Sequence, residues 1–402
     1  MTHPSDSPCP RQLAEDAEPR FLQRYAAFST SPLLSQRIHP QEPDDFRTAF
    51  ERDYTRIVHC RAFRRLRGKT QVFLSPKNDH LCTRLEHSIH VASIARTISK
   101  SLRLNNDLVA AIAVGHDLGH APFGHHGERC LHRIAQRFGL RFHHELQSLR
   151  AVDHLDSPYD GHPGLNLTFA VRDGIACHYG EGFKEQRLAP NRSKKPDDLL
   201  GMERAALPAT LEGCVVRFAD KVAYLGRDLE DAIAVDILKE KDIPNDVKQV
   251  LGVNNGQIIG SLIGDIFACS KGHRYIGVSD RVHAALKTFY EFSNTRLYKS
   301  PVVTQTFAKI GESMTAMFER LHDIVLQAHS RRSLGPLRRE QGKWVGVLRA
   351  FLRDDIRDWL KEPPEQLVID FIAGMTDEYY MTCYEEMFRK GKRWPLRAKL
   401  AV

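Results

Sequence analysis

Apolar residues return at intervals of three and four along most of this chain, the spacing of one face of an α-helix. Between Arg52 and Leu66 the stripe is Ile57, Cys60, Ala62, Phe63 and Leu66, and between His87 and Leu102 it is Val91, Ile94, Ile98 and Leu102. The same spacing predicts helices over Leu108–His120, Glu128–Phe138, His144–Leu155, Val171–His178 and Leu211–Ala234. Further helices are expected over Ile258–Cys269, Val282–Phe292, Val302–His329, Trp344–Trp359 and, as one unit, Pro364 to about Phe388. Two stretches read as loops: Gly180–Pro208, with Pro190, Pro196 and a charged run, and Ile243–Asn255, with Pro244 and paired asparagines. Alternation of period two is scarce, so the expected class is mainly α. Residues 1 to about 20 hold proline, serine and acids without periodicity and read as disordered. The chain then divides into an N-terminal extension over 1–45, partly disordered, a helical core over 46–240, and a C-terminal helical region over 241–402 packed on that core.

Composition narrows the functional classes. With 402 residues, 42% hydrophobic and 27% charged, the chain can bury a large core. No apolar run approaches the roughly 18 residues of a membrane span, and Met1–Pro10 is too polar for a secretory signal. The eight cysteines are scattered and form no CxxC pair. That pattern argues against a disulfide framework or a thiolate zinc site and fits a reducing cytoplasm. A net charge of +8 suggests an anionic partner, either a polyphosphate or nucleic acid. The basic residues gather in Arg61–Lys69, Arg331–Lys343 and Lys390–Lys399.

The chemistry concentrates in Gly115-His116-Asp117-Leu118-Gly119-His120-Ala121-Pro122-Phe123-Gly124-His125-His126-Gly127-Glu128. Pro122 cannot continue a helix, so the helix from Leu108 should end near His120. His116 lies four residues after Ile112 and eight after Leu108, on the inward stripe. His87 precedes Val91, Ile94 and Ile98 by four, seven and eleven, so it too points inward. Asp220, Tyr224 and Asp228 share one face of a third helix. A lone inward histidine is more often a hydrogen-bonded core residue, and a single helical aspartate more often a solvated charge. Density changes the balance: seven of the 20 histidines fall between His116 and His144. Buried imidazoles beside carboxylates need a partner, and a metal ion satisfies both.

The order His87, His116-Asp117, Asp220 resembles the HD superfamily. Within it the chain is similar to the deoxynucleoside triphosphate triphosphohydrolases, the bacterial dGTPase-like enzymes. Five landmarks carry the resemblance: Phe63-Arg64-Arg65-Leu66-Arg67-Gly68-Lys69-Thr70-Gln71-Val72-Phe73, Thr83-Arg84-Leu85-Glu86-His87-Ser88, the His116–Glu128 stretch, Phe142-His143-His144-Glu145-Leu146-Gln147-Ser148-Leu149-Arg150, and Phe218-Ala219-Asp220-Lys221-Val222-Ala223-Tyr224. The resemblance implies an HD-domain helical bundle that cleaves a dNTP at the α-phosphate into deoxynucleoside and inorganic triphosphate. It implies His87, His116, Asp117 and Asp220 as metal ligands, and His125 with Glu128 as the acid/base pair. Arg84 and Lys221 would meet phosphates, Gln71 the deoxyribose, and Tyr224 and Asp228 the sugar and its surroundings, with His120 and His144 as further pocket histidines. Two departures stand out: Phe142-His143-His144-Glu145 replaces the usual Phe-Glu-His-Asn, and Ala121 replaces a second proline.

Histidine with carboxylate suits Mn²⁺, Fe²⁺, Co²⁺, Ni²⁺ or Zn²⁺, with Mg²⁺ accompanying the triphosphate. The expected partners are a dNTP, single-stranded nucleic acid through the basic stretches, and further copies of the chain in a homo-oligomer; no membrane is expected. Two alternatives remain at this point. One is an HD phosphohydrolase acting on a monophosphate, cyclic or signalling nucleotide. The other is a nucleic-acid-binding regulator with a dormant site.

Overall fold

Several helices begin where a side chain caps their free N–H groups. In the computed structural model Thr48 caps one helix with Glu51 answering three residues on, and Thr83 caps another with Glu86; both are reciprocal capping boxes. The structure describes residues 8–71, 81–156, 161–179, 183–202, 204, 206–234, 237–299, 301–352, 358–389 and 394, with backbone alone over 301–308. Val72, Phe73 and the basic stretch Lys390–Lys399, apart from Trp394, lie outside them.

Among the described residues sixteen α-helices follow one another: α1 (Pro10–Phe21), α2 (Ala49–His59), α3 (Arg61–Arg65), α4 (Arg84–Ser101), α5 (Asn106–Gly115), α6 (Gly124–Gln136), α7 (His144–Arg150) and α8 (Phe169–Ala176) in the first half. Then come α9 (Leu211–Ala234), α10 (Asn245–Val250), α11 (Asn255–Ser270), α12 (Asp280–Ser293), α13 (Pro301–Ser330), α14 (Lys343–Leu352), α15 (Pro364–Ala373) and α16 (Asp377–Phe388). The described strands are two residues each, β1 (Arg187–Leu188) and β2 (Ile276–Gly277), paired antiparallel. The chain is mainly α, as its periodicity predicts.

Two apolar cores organise these helices. The first gathers α2, α4, α5, α8 and α9 and runs on through Val247, Ile258, Val282 and Phe289 to Leu297, so it draws on both sides of position 240. The second is built from α13, α14, α15 and α16, and it takes in Cys130, Leu131, Ile134 and Ala135 of α6. The helix carrying His125 and Glu128 is therefore seated on the C-terminal helices.

Several elements differ from the sequence expectation. Residues Pro10–Phe21 form a helix rather than a disordered tail. Polar anchors hold it, which apolar periodicity does not register: Arg11 Nε donates to Asp44 O at 2.7 Å, and the Glu18 carboxylate accepts from Ser29 N and Asn105 Nδ2. The expected loop over Ile243–Asn255 contains α10. The expected helix Pro364–Phe388 is two, broken at Gly374–Thr376, where Thr376 accepts from Tyr379 N and starts a new helix.

Candidate metal and phosphate site

Helix α5 ends at Gly115, five residues before His120, and His116–Gly119 form a turn. The close approach of α7 requires this: a Cβ on Gly119 would stand 2.1 Å from Ser148 N, and Gly119 N donates to Ser148 Oγ. His116 is 1% exposed, and its Nδ1–H donates to Ala113 O at 2.7 Å. A carbonyl can only accept, so Nδ1 carries a proton and Nε2 is the nitrogen left to face inward. That Nε2 is buried with no hydrogen-bond partner.

Helices α4 and α9 complete the cluster. The Thr83 cap makes Arg84 the first residue of α4 and sets His87 one turn inside. His87 Nε2 lies 2.9 Å from Asp220 Oδ1, which is 3.8 Å from His116 Nε2; Asp117 Oδ1 is 3.6 Å from the same nitrogen. Donors bound to one ion at roughly 2.0–2.3 Å lie about 3 to 4.5 Å apart, so these separations suit a divalent cation. One donor atom each from His87, His116 and Asp220 falls within a 4.8 Å group, as does one each from Asp117, His144 and His178. The orphaned His116 nitrogen and two opposing carboxylates fit such an ion. Burial would raise both carboxyl pKa values, but His116 and Arg84 around Asp117, and the His87 hydrogen bond with His116 around Asp220, hold them well below the usual range.

Arg84 Nη1 donates to Asp117 Oδ2 at 2.6 Å, while Nε and Nη2 are buried without partners. A buried guanidinium with unused donors is a ready site for phosphate oxygens. Lys221 Nζ is also buried without a hydrogen bond; Glu185 is 3.9 Å away, the Phe183 ring 5.2 Å away, and burial lowers its pKa to about 8.

Beyond the turn, Glu128 collects two imidazoles. Its Oε2 lies 3.2 Å from His125 Nδ1 and 3.0 Å from His144 Nδ1, and its Oε1 accepts from His144 N. His125 is 43% exposed in its side chain, whereas His144 is buried. Burial would depress the His144 pKa, but Glu128 and Glu145 outweigh it and raise it to about 10. His120 stacks on His144 at 4.3 Å between centroids with neither ring nitrogen bonded; burial and Arg84 hold it neutral, its pKa well below the usual value. Glu145 is buried and accepts from Arg204 Nε at 3.2 Å.

Gln71 offers a buried Oε1 without a hydrogen bond. Asp228 Oδ2 accepts from Tyr298 Oη at 2.5 Å, and Tyr224, half-buried, has its ring 6.4 Å from that of Phe183. The structure thus brings together His87, His116, Asp117 and Asp220, and sets His120, His125, Glu128 and His144 beside them.

Two residues escaped the sequence reading. His178 is buried, its Nδ1–H donates to Ile175 O, and its Nε2 stands 3.2 Å from His144 Nε2. It follows Val171 and Ile175 by seven and three, so the stripe argument applied to His116 would have found it. Tyr298 had no such signal; its partner lies seventy positions away.

The HD domain family matches residues 84–225, and the phosphohydrolase-associated domain family matches residues 276–386. A deoxyguanosinetriphosphate triphosphohydrolase-like protein of Desulfatibacillum aliphaticivorans is 38% identical over 94% of this chain and 97% of its own length. One from Caldanaerobacter subterraneus subsp. tengcongensis is 36% identical over 94% and 95%, and one from Geobacter sulfurreducens 33% over 95% and 100%.

Proposed function

The chain belongs to the deoxyguanosinetriphosphate triphosphohydrolase-like proteins with an HD domain, and from that premise we propose that it hydrolyses a deoxynucleoside triphosphate at the α-phosphate. Water oxygen bonds to phosphorus, the bond from phosphorus to the 5′ oxygen breaks, and deoxynucleoside and inorganic triphosphate leave. One observation carries this reading: the unpartnered Nε2 of His116 and the two idle nitrogens of Arg84 are buried around a single carboxylate, Asp117. Without a cation and an anion to receive them, those desolvated groups would be a net cost.

His87, His116, Asp117 and Asp220 would hold the metal. A divalent ion there supplies Lewis-acid polarisation of a phosphoryl oxygen and of the attacking water. Mn²⁺, Fe²⁺, Co²⁺, Ni²⁺ and Zn²⁺ all suit a site of mixed nitrogen and oxygen ligands, with Mg²⁺ suited to the outer phosphates. Arg84 and Lys221 oppose the charge that builds on the phosphoryl oxygens. His125, open to the solvent side and oriented by Glu128, is the group to give the 5′ oxygen its proton. His120 and His144, stacked behind it, wall the pocket. Gln71 Oε1 accepts from a sugar hydroxyl, with Tyr224 and Asp228 lining the rest of that end.

All eight cysteines are thiols, which supports residence in a reducing cytoplasm. No helix among the described residues is long and apolar enough to cross a membrane. Arg331, Arg332, Arg338, Arg339 and Lys343 are exposed and support single-stranded nucleic acid as a secondary partner, bound with an affinity that falls as salt rises. The decisive experiment incubates the protein with each dNTP and a panel of divalent metals and separates the products. Tripolyphosphate with deoxynucleoside is expected; orthophosphate or pyrophosphate would refute the proposal.

A further inference from the structure

The metal side and the proton-donating side of the site rest on different cores. His87, His116 and Asp220 are carried by elements of the first, whereas α6, with His125 and Glu128, buries its apolar face in the second. A reaction that needs both sides needs their register fixed, and one buried carboxylate from the C-terminal region lies where that register is set.

Asp377 is the first residue of α16 and is 5% exposed. Its Oδ1 accepts from Phe123 N at 2.8 Å and its Oδ2 from Thr70 N at 2.9 Å. Phe123 immediately precedes α6, in the left-handed region at φ 64°, followed by Gly124 at φ 58°. Such a backbone on a phenylalanine is strained and persists only where its surroundings hold it. Here they do: Asp377 takes its N–H, and Tyr380 packs edge-on to its ring at 4.9 Å. Thr70 is next to Gln71 and pairs as a bridge with Thr83, the cap of α4; Lys69 O accepts from Arg84 N. Lys69 itself is fully buried and donates from Nζ to His120 O and to Ala373 O, the last residue of α15. The space is closed, since a Cβ on Gly68 would stand 2.8 Å from Thr376 Cγ2.

We infer that Asp377, with Lys69, is a positioning residue that fixes His125 and Gln71 relative to the metal ligands. This rests on the proposed hydrolysis. One carboxylate ties the turn before His125 to the segment before Gln71, so its loss displaces both while leaving His87, His116 and Asp220 on their own core. The role also gives the phosphohydrolase-associated region a part in the reaction without contributing a group that touches substrate.

Asp377→Asn keeps the shape but turns an N–H donor toward one of the two amides, and Lys69→Met cuts the second tie. With dGTP as probe, both variants should lose about 10- to 100-fold in kcat, while Mn²⁺ affinity measured by calorimetry without substrate stays within about threefold. The preference for dGTP over its 2′,3′-dideoxy counterpart should shrink, because Gln71 is no longer aimed. Amide hydrogen exchange at residues 69–71 and 121–125 should rise together in Asp377→Asn, with α4 and α5 still protected. Wild-type kcat and selectivity in folded variants would overturn the inference, as would exchange unchanged at those amides. A wild-type chain that releases no triphosphate would refute the proposed function, and the exchange measurement would still decide the tie.

Discussion

Replacing Asp228 by asparagine isolates what it costs to keep a carboxyl in the wall of this site. Asp228 is 3% exposed and accepts 2.5 Å from Tyr298 Oη. Burial pushes its pKa from 3.8 to about 7, against the opposing pull of the Tyr298 hydrogen bond and of His87. Three units correspond to about 4 kcal/mol at 1.36 kcal/mol per unit. The native chain holds this proton more tightly than the unfolded chain does. The associated stability is complete below about pH 4, is lost as pH rises through about 7, and is gone by about pH 8. Asparagine has no proton to lose, yet it keeps the shape and an oxygen that accepts from Tyr298. The stability of the variant relative to wild type should therefore climb by about 2.3 kcal/mol between pH 5 and pH 7 and level off by pH 8. Urea unfolding of both proteins at pH 5, 6, 7 and 8, in EDTA to keep metals away, gives this difference directly. A difference that is flat with pH, or that falls as pH rises, would refute the assignment of a raised carboxyl to Asp228.

Three further outcomes follow from the same geometry. Mn²⁺ at about one hundred times its dissociation constant should stabilise the chain by about 2.7 kcal/mol, a rise of about 3 °C in melting temperature for 402 residues; calorimetry of His116→Ala should show no rise, and an equal rise would dissociate His116 from the metal. His125→Ala should lower kcat by on the order of 10²–10⁴ fold with Mn²⁺ binding intact, and wild-type turnover would remove it from proton transfer. Gly119→Ala forces a methyl within 2.1 Å of Ser148 N; it should lower the melting temperature and weaken metal binding together, and unchanged melting would show that the approach of α7 is looser than described.

Much of this architecture is local and so was open to reading from the chain. Leu211–Ala234 is one helix in pattern and in structure. The stripe logic turned His87 and His116 inward, and they are 3% and 1% exposed. What escaped is what depends on partners far along the chain. The helix at Pro10–Phe21 is held by polar bonds to Asp44 and Asn105 and buries no residue fully. Position 364–388 reads as a continuous periodic run because Gly374 to Thr376 carry no proline, yet Thr376 caps a second helix there. Asp377 and Lys69 look like ordinary surface charges in sequence; their partners lie 254 and 307 positions away for Asp377, and 51 and 304 away for Lys69. Pairings of that range leave no period to detect.

His116 and His178 share a detail with a consequence for cation uptake. Each ring gives its Nδ1 proton to the carbonyl three residues earlier, Ala113 and Ile175. The choice between the two neutral tautomers is thereby made when the helix forms, before any ion arrives. In the proposed metal site, loading the His116 ring would displace no hydrogen and ask for no rotation, so an ion would meet a lone pair already facing inward, whereas the His178 Nε2 faces His144 Nε2 at 3.2 Å.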